Sequence, residues 1–243
     1  MDIISEDIKT IFNNNIEYTI LKICQKGAIG TITDIHNWIL MYGNLAEFAR
    51  KDIPIYIKNV NEESVQNQIE KLVNKKLLED SGKGFNEFQY KKQHSSGSEK
   101  TETFKRNKKV AYPIIGSLKY SPLQLIRSRL ESFLLHFNVK REDLTDISIG
   151  VIEAAENAIK YGDGGIVTIE YFLDDKDVFN ILIKNPIKAE PIEENIKTGK
   201  FSEGFTLMRG IMAINKLFDF FDISRDDNLK EVSFNASKKL ALG

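Results

Sequence analysis

Apolar residues recur every three or four positions in the first third of the chain, a spacing that predicts amphipathic helices. The first helix is expected over 16–24, ending before Gly27. A second helix is expected near Thr33, with Thr31 or Thr33 as its N-cap, because short hydroxyl side chains suit that position. A third helix is expected after Asn61, another good N-cap residue.

Shorter apolar segments then flank a polar run that contains two glycines, which predicts a small β-hairpin before residue 91. Three helices followed by a hairpin resemble a winged helix-turn-helix, with 64–84 similar to its third helix and wing. In such a module the third helix would enter the major groove of DNA. Its candidate contact residues are Gln66, Asn67, Lys71, Lys75 and Lys76.

Acidic residues on the same predicted helix argue against DNA binding. Glu62, Glu63 and Glu70 nearly cancel the positive charge on which phosphate contacts depend. The stretch 45–58 also lengthens the link before this helix and would have to be accommodated beside DNA. A protein-docking or structural role is therefore favoured for the N-terminal module, with DNA binding as the alternative.

A polar, serine-rich segment divides the chain. Residues 91–109 contain almost no apolar side chains and no periodicity, which is typical of an exposed linker. We therefore predict a winged-helix-like domain over 1–92, a linker over 93–109 and a second domain over 110–243.

The second domain alternates strand and helix patterns, which predicts an α+β fold. Ser121-Pro122 is expected to open one helix, because proline is favoured at the first helical position. The expected strands are 110–118, 166–173, 178–183, 217–224 and 229–236, and further helices are expected to begin at 141–144 and at Gly204.

One predicted helix carries a row of polar side chains. Glu153, Asn157 and Lys160 occupy positions i, i+4 and i+7, so they project from one side of a helix that otherwise contains mainly Ile, Val, Ala and Gly. A carboxylate, an amide and an ammonium in this arrangement can act on a metal-bound phosphate ester. The same row also fits the solvated stripe of an amphipathic helix.

The order of elements resembles that of the histidine-kinase-like (GHKL, or Bergerat) ATPases, a two-layer α/β sandwich. Within that family it is most similar to the anti-sigma-factor serine kinases. The segment 153–159, EAAENAI, is similar to their EAxxNA box, and 204–209, GFTLMR, is similar to the glycine-led start of the helix that closes their pocket. The resemblance covers the chain from Val110 onward.

The resemblance implies ATP and Mg²⁺ as cofactors and assigns roles to residues. Glu153 would be the general base, Asn157 would bind Mg²⁺, and Lys160 would lie near the phosphates. Asn185, at the end of a strand, would accept a hydrogen bond from the adenine amino group. The remaining cofactor-binding candidates are Gly204, Phe205, Thr206 and Leu207.

The same resemblance implies a regulator that binds a sigma factor or an anti-sigma-factor antagonist and phosphorylates a serine or threonine of the antagonist. Relatives of this kind often form homodimers through the ATPase domain.

This chain departs from the family pattern at the adenine end of the pocket. Where the family has aspartate, one residue and glycine, it has Asn185, Pro186 and Ile187, and Ser202 replaces the first glycine of the usual pair. Residues 190–200 are rich in Glu and Lys and lack the usual run of glycines. Two alternatives to the kinase therefore stay open: a non-catalytic scaffold with an eroded pocket, and a DNA-binding transcription regulator whose second domain senses nucleotide.

Composition narrows these alternatives only slightly. A hydrophobic fraction of 42% supports packed cores, and a net charge of −1 gives no overall preference for nucleic acid or acidic membranes. The only cysteine, Cys24, lies in an apolar run and is expected to be buried. The three histidines lack the partners of a metal site. With no leader and no spanning apolar run, the protein is expected in the cytoplasm.

Overall fold

A computed structural model describes residues 11, 15–49, 55–82, 86–91, 104–187 and 212–243. The described residues divide into two compact units. The first unit draws on 1–104 and 118–136, and the second on 105–117 and 137–243. None of the described helices combines the length and the apolar character that a membrane crossing requires.

The first unit consists of helices and one small hairpin. Its elements are α1 (Ile16–Gln25), α2 (Ile32–Phe48), α3 (Ile55–Lys58), α4 (Glu62–Asn74), β1 (Leu78–Asp80), β2 (Phe88–Tyr90) and α5 (Pro122–His136). The predicted order of three long helices and a hairpin is therefore present. The stretch 45–58 is not only a connection, because α2 continues to Phe48 and α3 follows it.

Side-chain caps set the starts of α1, α2 and α4. Asn15 caps α1 by accepting from the backbone N–H of Tyr18 at 2.8 Å. Thr31, and not Thr33, caps α2, where it forms a reciprocal capping box with Asp34. The predicted cap at Asn61 is confirmed by its bond from the N–H of Ser64 at 2.8 Å.

Helix α5 packs into the core of this first unit. The indole N–H of the fully buried Trp38 donates to the carbonyl of Ser121 at 3.0 Å. Gln124 and Ser132 donate to backbone carbonyls between α1 and α2, those of Ile29 at 3.0 Å and Gly27 at 2.9 Å. Helix α5 and the N-terminal helices therefore share one core.

The second unit is a five-stranded antiparallel sheet with α6 (Arg141–Tyr161) packed against it. The strands lie in the order β3-β4-β5-β7-β6. Their bounds are β3 (Val110–Ile115), β4 (Ile166–Leu173), β5 (Val178–Pro186), β6 (Phe220–Asp226) and β7 (Glu231–Lys239). The predicted α+β class is confirmed.

Several predicted strand boundaries in this unit are wrong. Leu217 ends a helical segment over 212–217, and the strand begins only at Phe220. Leu229 lies in a turn, where its backbone N–H donates to the carboxylate of Asp226 at 3.0 Å. The last strand therefore begins only at Glu231. The predicted strand over 110–118 is also shorter, ending at Ile115.

Alternation along β5 determines which of its side chains face the core. Phe179, Ile181, Ile183 and Asn185 are buried, and the intervening residues are partly exposed. Asn185 is thus a polar side chain on the apolar face of the sheet, close to the end of the strand.

Candidate functional site

Glu153 and Asn157 lie together on one face of α6, as the spacing predicts. Both side chains are partly buried. Neither makes a hydrogen bond or an ion pair with any other described residue. They are flanked by the buried Ala154, Ala155 and Ala158, which leave little side-chain bulk beside them. The arrangement presents a carboxylate and an amide side by side, and no described residue uses either of them.

Lys160 continues the row at the C-terminal end of α6 and is already paired. Its Nζ lies 2.6 Å from a carboxylate oxygen of Glu156, one helical turn earlier. The hydrogen bond and the charge of Glu156 raise the pKa of Lys160 above its ordinary value, and the charge of Glu153 contributes further. Because Lys160 is exposed, this ion pair is screened by solvent and is weak.

Asn185 is only 5% exposed, near the end of β5. Its side-chain Nδ2 donates to the carbonyl of Pro186 at 3.3 Å. This bond uses one of the two N–H groups and orients the amide, whose oxygen, Oδ1, is an acceptor. An acceptor is what recognition of an amino group requires.

The ends of α6 and β5 meet at Gly162. A Cβ on this glycine would lie 2.6 Å from the carbonyl oxygen of Ala158, 3.2 Å from that of Pro186 and 3.3 Å from Nδ2 of Asn185. A backbone bridge also pairs Gly162 with Ile187. The structure therefore places Asn185 beside the end of the helix that carries Asn157 and Lys160.

The Pro186-Ile187 replacement changes the backbone at this edge. The N–H of Ile187 donates to the carbonyl of Lys230 at 2.9 Å, and the carbonyl of Pro186 accepts from the N–H of Asp163 at 3.2 Å. The resemblance predicts a flexible glycine here, whereas in this chain backbone hydrogen bonds to Lys230 and Asp163 hold the segment in place.

The second predicted group of cofactor-binding residues, Gly204, Phe205, Thr206 and Leu207, lies outside the described residues, as do Ser202 and 190–200. No group of three His, Cys, Asp or Glu in the described residues could hold a metal ion. A Mg²⁺ ion here would have to rely on one or two protein oxygens together with phosphates and water, which is the usual way that Mg²⁺ is held. The Asn157 side chain fits that requirement.

The other candidates do not join this site. His36 lies 3.4 Å from the carbonyl of Val60, and the ring of His136 stacks edge-on against Phe104. The prediction that Cys24 is buried is confirmed, and burial raises the pKa of its thiol to about 12.

Sequence reasoning missed Gly162 as part of the site. The available signal was its position directly after the polar row. A glycine at a helix end is, however, usually explained by its conformational freedom. Gly162 has an ordinary φ of −74°, so the reason for a glycine here is space and not conformation.

Known proteins resemble this chain over part of its length. No curated protein sequence matches the chain. A crystal structure of the RsbU and RsbW domains of Rv1364c from Mycobacterium tuberculosis is similar at 12% identity with a TM-score of 0.42. That similarity covers 55% of this chain and 33% of the solved chain. The family model of the histidine kinase-like ATPase domain matches residues 117–235, so this part of the chain belongs to that domain family.

Proposed function

We propose that this protein is an ATP- and Mg²⁺-binding regulator of the anti-sigma-factor serine-kinase type. The observation that carries the proposal is the α6 face in the matched domain, where Asn157 lies beside Glu153 and no described residue bonds to either side chain. The buried acceptor of Asn185 lies beside the end of the same helix and supports a nucleobase contact there.

Each side chain has a separate task in this proposal. The Oδ1 atom of Asn157 binds Mg²⁺, and Gly204, Phe205, Thr206 and Leu207 contact the nucleotide. When bound, Mg²⁺ neutralises phosphate charge, which is a main requirement of phosphoryl transfer. Glu153 accepts the proton of the attacking serine or threonine hydroxyl of the partner. Lys160 leaves Glu156 and contacts a phosphate oxygen.

Asn185 selects adenine through its fixed amide. Because Nδ2 donates to Pro186, Oδ1 accepts a hydrogen bond from the exocyclic amino group of adenine. Guanine has a carbonyl oxygen where adenine has this amino group. Two acceptors, the carbonyl oxygen of guanine and Oδ1 of Asn185, would then face each other. Leaving buried acceptors unpaired costs about 1–3 kcal/mol.

Nucleotide titrations test this assignment. Isothermal calorimetry of the full chain with Mg·ATP and Mg·GTP is expected to give at least about fivefold tighter ATP binding, from the lower end of that range. Asn185→Leu is expected to remove the preference, and Asn180→Leu, a change on the same strand outside the proposed site, is the control. Equal affinity for the two nucleotides would refute the role of Asn185.

Kinase activity is tested separately from binding. The partner is proposed to be a sigma factor or an anti-sigma-factor antagonist. We expect phosphate transfer from γ-labelled ATP to a serine or threonine of the antagonist. Glu153→Gln is expected to lower the rate by about 10²–10⁴-fold while Mg·ATP stays bound, and Glu170→Gln on β4 is the control. Transfer that persists in Glu153→Gln would exclude Glu153 as the base.

The second candidate is a partner-binding scaffold without catalysis. The observation that favours it is the tied backbone of Pro186 and Ile187, which removes the freedom that the family has beside the base. A scaffold holds its partner whether nucleotide is present or removed, and it does so in Glu153→Gln as well. The kinase proposal instead expects nucleotide to change partner affinity.

The N-terminal module is proposed to dock a protein and not DNA. Two of the five candidate DNA contacts already bond to acidic partners: Gln66 on α4 to Glu70 at 3.0 Å, and Lys75, just after α4, to Glu17 at 2.6 Å. Its winged-helix assignment and the sequence boundaries 1–92, 93–109 and 110–243 are part of this proposal, although α5, from the last of these segments, packs with the N-terminal helices. Steeply salt-dependent binding of the full chain to duplex DNA would overturn it.

A further inference from the structure

The polar face of α6 extends beyond the proposed site. Asp143, Asp146 and Gly150 precede Glu153 and Asn157 at alternating spacings of three and four residues, so all five lie on one side of the helix. The second half of this face carries the proposed site. The first half is occupied by other parts of the same unit.

Phe218 packs directly on α6 at Gly150. A Cβ on this glycine would lie 2.4 Å from an edge carbon of the Phe218 ring, so only a glycine admits the ring at this position. The ring is 6% exposed and makes an edge-to-face contact with Phe234 at 6.5 Å. Phe218 directly follows the helical segment 212–217. The backbone N–H of Phe218 donates to the carbonyl of Ile214 in that segment at 3.1 Å.

Lys238 joins three elements at the same place. From β7, its Nζ lies 2.8 Å from a carboxylate oxygen of Asp146 and 3.6 Å from one of Asp143, both on α6. The same Nζ donates to the carbonyl of Leu217 at 3.0 Å, at the end of the helical segment 212–217. Carbonyls at a helix end lack partners within the helix, so a lysine there satisfies one of them. The Lys238 side chain is only 13% exposed.

We propose that Lys238, Gly150 and Phe218 form a junction that fixes the end of segment 212–217 on one face of α6. This is the face of α6 that carries Glu153 and Asn157, and Lys238 is thereby a positioning residue for nucleotide binding. Glu153 is one helical turn from Gly150, so the junction borders the proposed site. In the sequence, only residues 208–211 separate Leu207 from segment 212–217. The nucleotide part of this inference rests on the proposed function.

Two neighbouring lysines of β7 provide a matched comparison. Lys238→Met removes all three contacts, and Lys238→Arg keeps a cation that can reach Asp146. Lys239→Met is the control, because Lys239 pairs with Asp177 in the turn between β4 and β5 and is exposed. Affinity for Mg·ATP is measured by calorimetry on folded full-length protein, since loss of global stability alone does not change the affinity of the folded molecules.

We expect Lys238→Met to weaken Mg·ATP binding by about tenfold, as a small displacement of positioning groups does. Lys238→Arg and Lys239→Met are expected to stay within about twofold of the unsubstituted protein. Asp146→Asn keeps one carbonyl acceptor and is expected to lie between them, and it replaces Lys238→Met where that variant does not fold. Unchanged affinity in both Lys238→Met and Asp146→Asn would overturn the positioning role.

Amide hydrogen exchange tests the junction without nucleotide. The N–H groups of Phe218 and Asp219 bond to Ile214 and to Ser237, and we expect Lys238→Met to accelerate their exchange by about tenfold or more, with no change in Lys239→Met. If the unsubstituted protein binds no ATP, the proposed function fails and exchange alone decides the junction. Unchanged exchange at both amides would overturn the junction itself.

Discussion

Replacing Gly162 by alanine tests how closely the ends of α6 and β5 approach each other. The new Cβ would lie 2.6 Å from the carbonyl oxygen of Ala158, whereas ordinary contact begins near 3.4 Å. The overlapping atom belongs to the backbone, and so does the next one, the carbonyl of Pro186 at 3.2 Å. Either the last turn of α6 or the end of β5 therefore has to move.

Forcing a methyl group into a packed site typically costs about 1–3 kcal/mol of stability. Converted at about tenfold per 1.4 kcal/mol, this is about a 5- to 150-fold increase in the population of the opened state. The amides that report it are those of Asp163, bonded to Pro186, and Ile187, bonded to Lys230. Native-state hydrogen exchange of these amides measures the change directly.

The control for Gly162→Ala is Gly164→Asn, two residues further on. A Cβ on Gly164 meets nothing within 4 Å, and its φ of +83° lies in the left-handed region that asparagine tolerates. We expect Gly164→Asn to stay within about 0.5 kcal/mol of the unsubstituted protein. Gly162→Ala with equally small effects would refute the close approach described for the site.

Three further outcomes follow from side chains outside this contact. Cys24 is expected to resist a thiol reagent at about pH 8 while folded and to react once unfolded, since burial raises its pKa to about 12. Glu156→Gln is expected to lower the pKa of Lys160 towards its ordinary value in an NMR titration. Because the folded-state pKa is raised, the stabilisation from this pair is present below the ordinary lysine value and is lost as pH rises through the raised one. Trp38→Phe removes the indole donor to the carbonyl of Ser121, which still accepts from the N–H of Leu125. Loss of this hydrogen bond is expected to reduce the unfolding free energy by about 0.5–1.5 kcal/mol in urea titrations followed by circular dichroism.

Features governed by neighbouring residues were predictable from the sequence. The cap at Asn61 and the opening of α5 at Pro122 depend on residues within one turn, and both are confirmed. The helix row of Glu153 and Asn157 needed only the helical period. The family also followed from the order of elements and two short motifs, and the family model confirms it.

Features that depend on distant packing were not predictable. The apolar run around Leu217 fits a helix or a strand equally well. The observed boundary is fixed where Phe218 packs on Gly150 and Lys238 reaches the carbonyl of Leu217. These contacts join residues about 70 and about 20 positions apart in sequence, and no local periodicity encodes them.

The partnership of α5 with the N-terminal helices was hidden for a similar reason. Its apolar residues predicted the helix but not the surface that they cover. Gln124 and Ser132 gave no sign that they bond to carbonyls about a hundred residues earlier in the chain. The orientation of the Asn185 amide likewise depends on a carbonyl whose direction only the folded backbone fixes.

Binding of Mg·ATP to the full chain, measured beside the Asn157→Ala variant, tests the central claim most directly. We predict saturable binding by the unsubstituted protein that depends on Mg²⁺, and a loss of about tenfold or more in Asn157→Ala. The exposed Asn235→Ala is expected to bind normally, and a chelator is expected to remove the difference between the variants. No affinity at millimolar nucleotide, or equal affinity in Asn157→Ala and in the unsubstituted protein, would contradict the proposed nucleotide site.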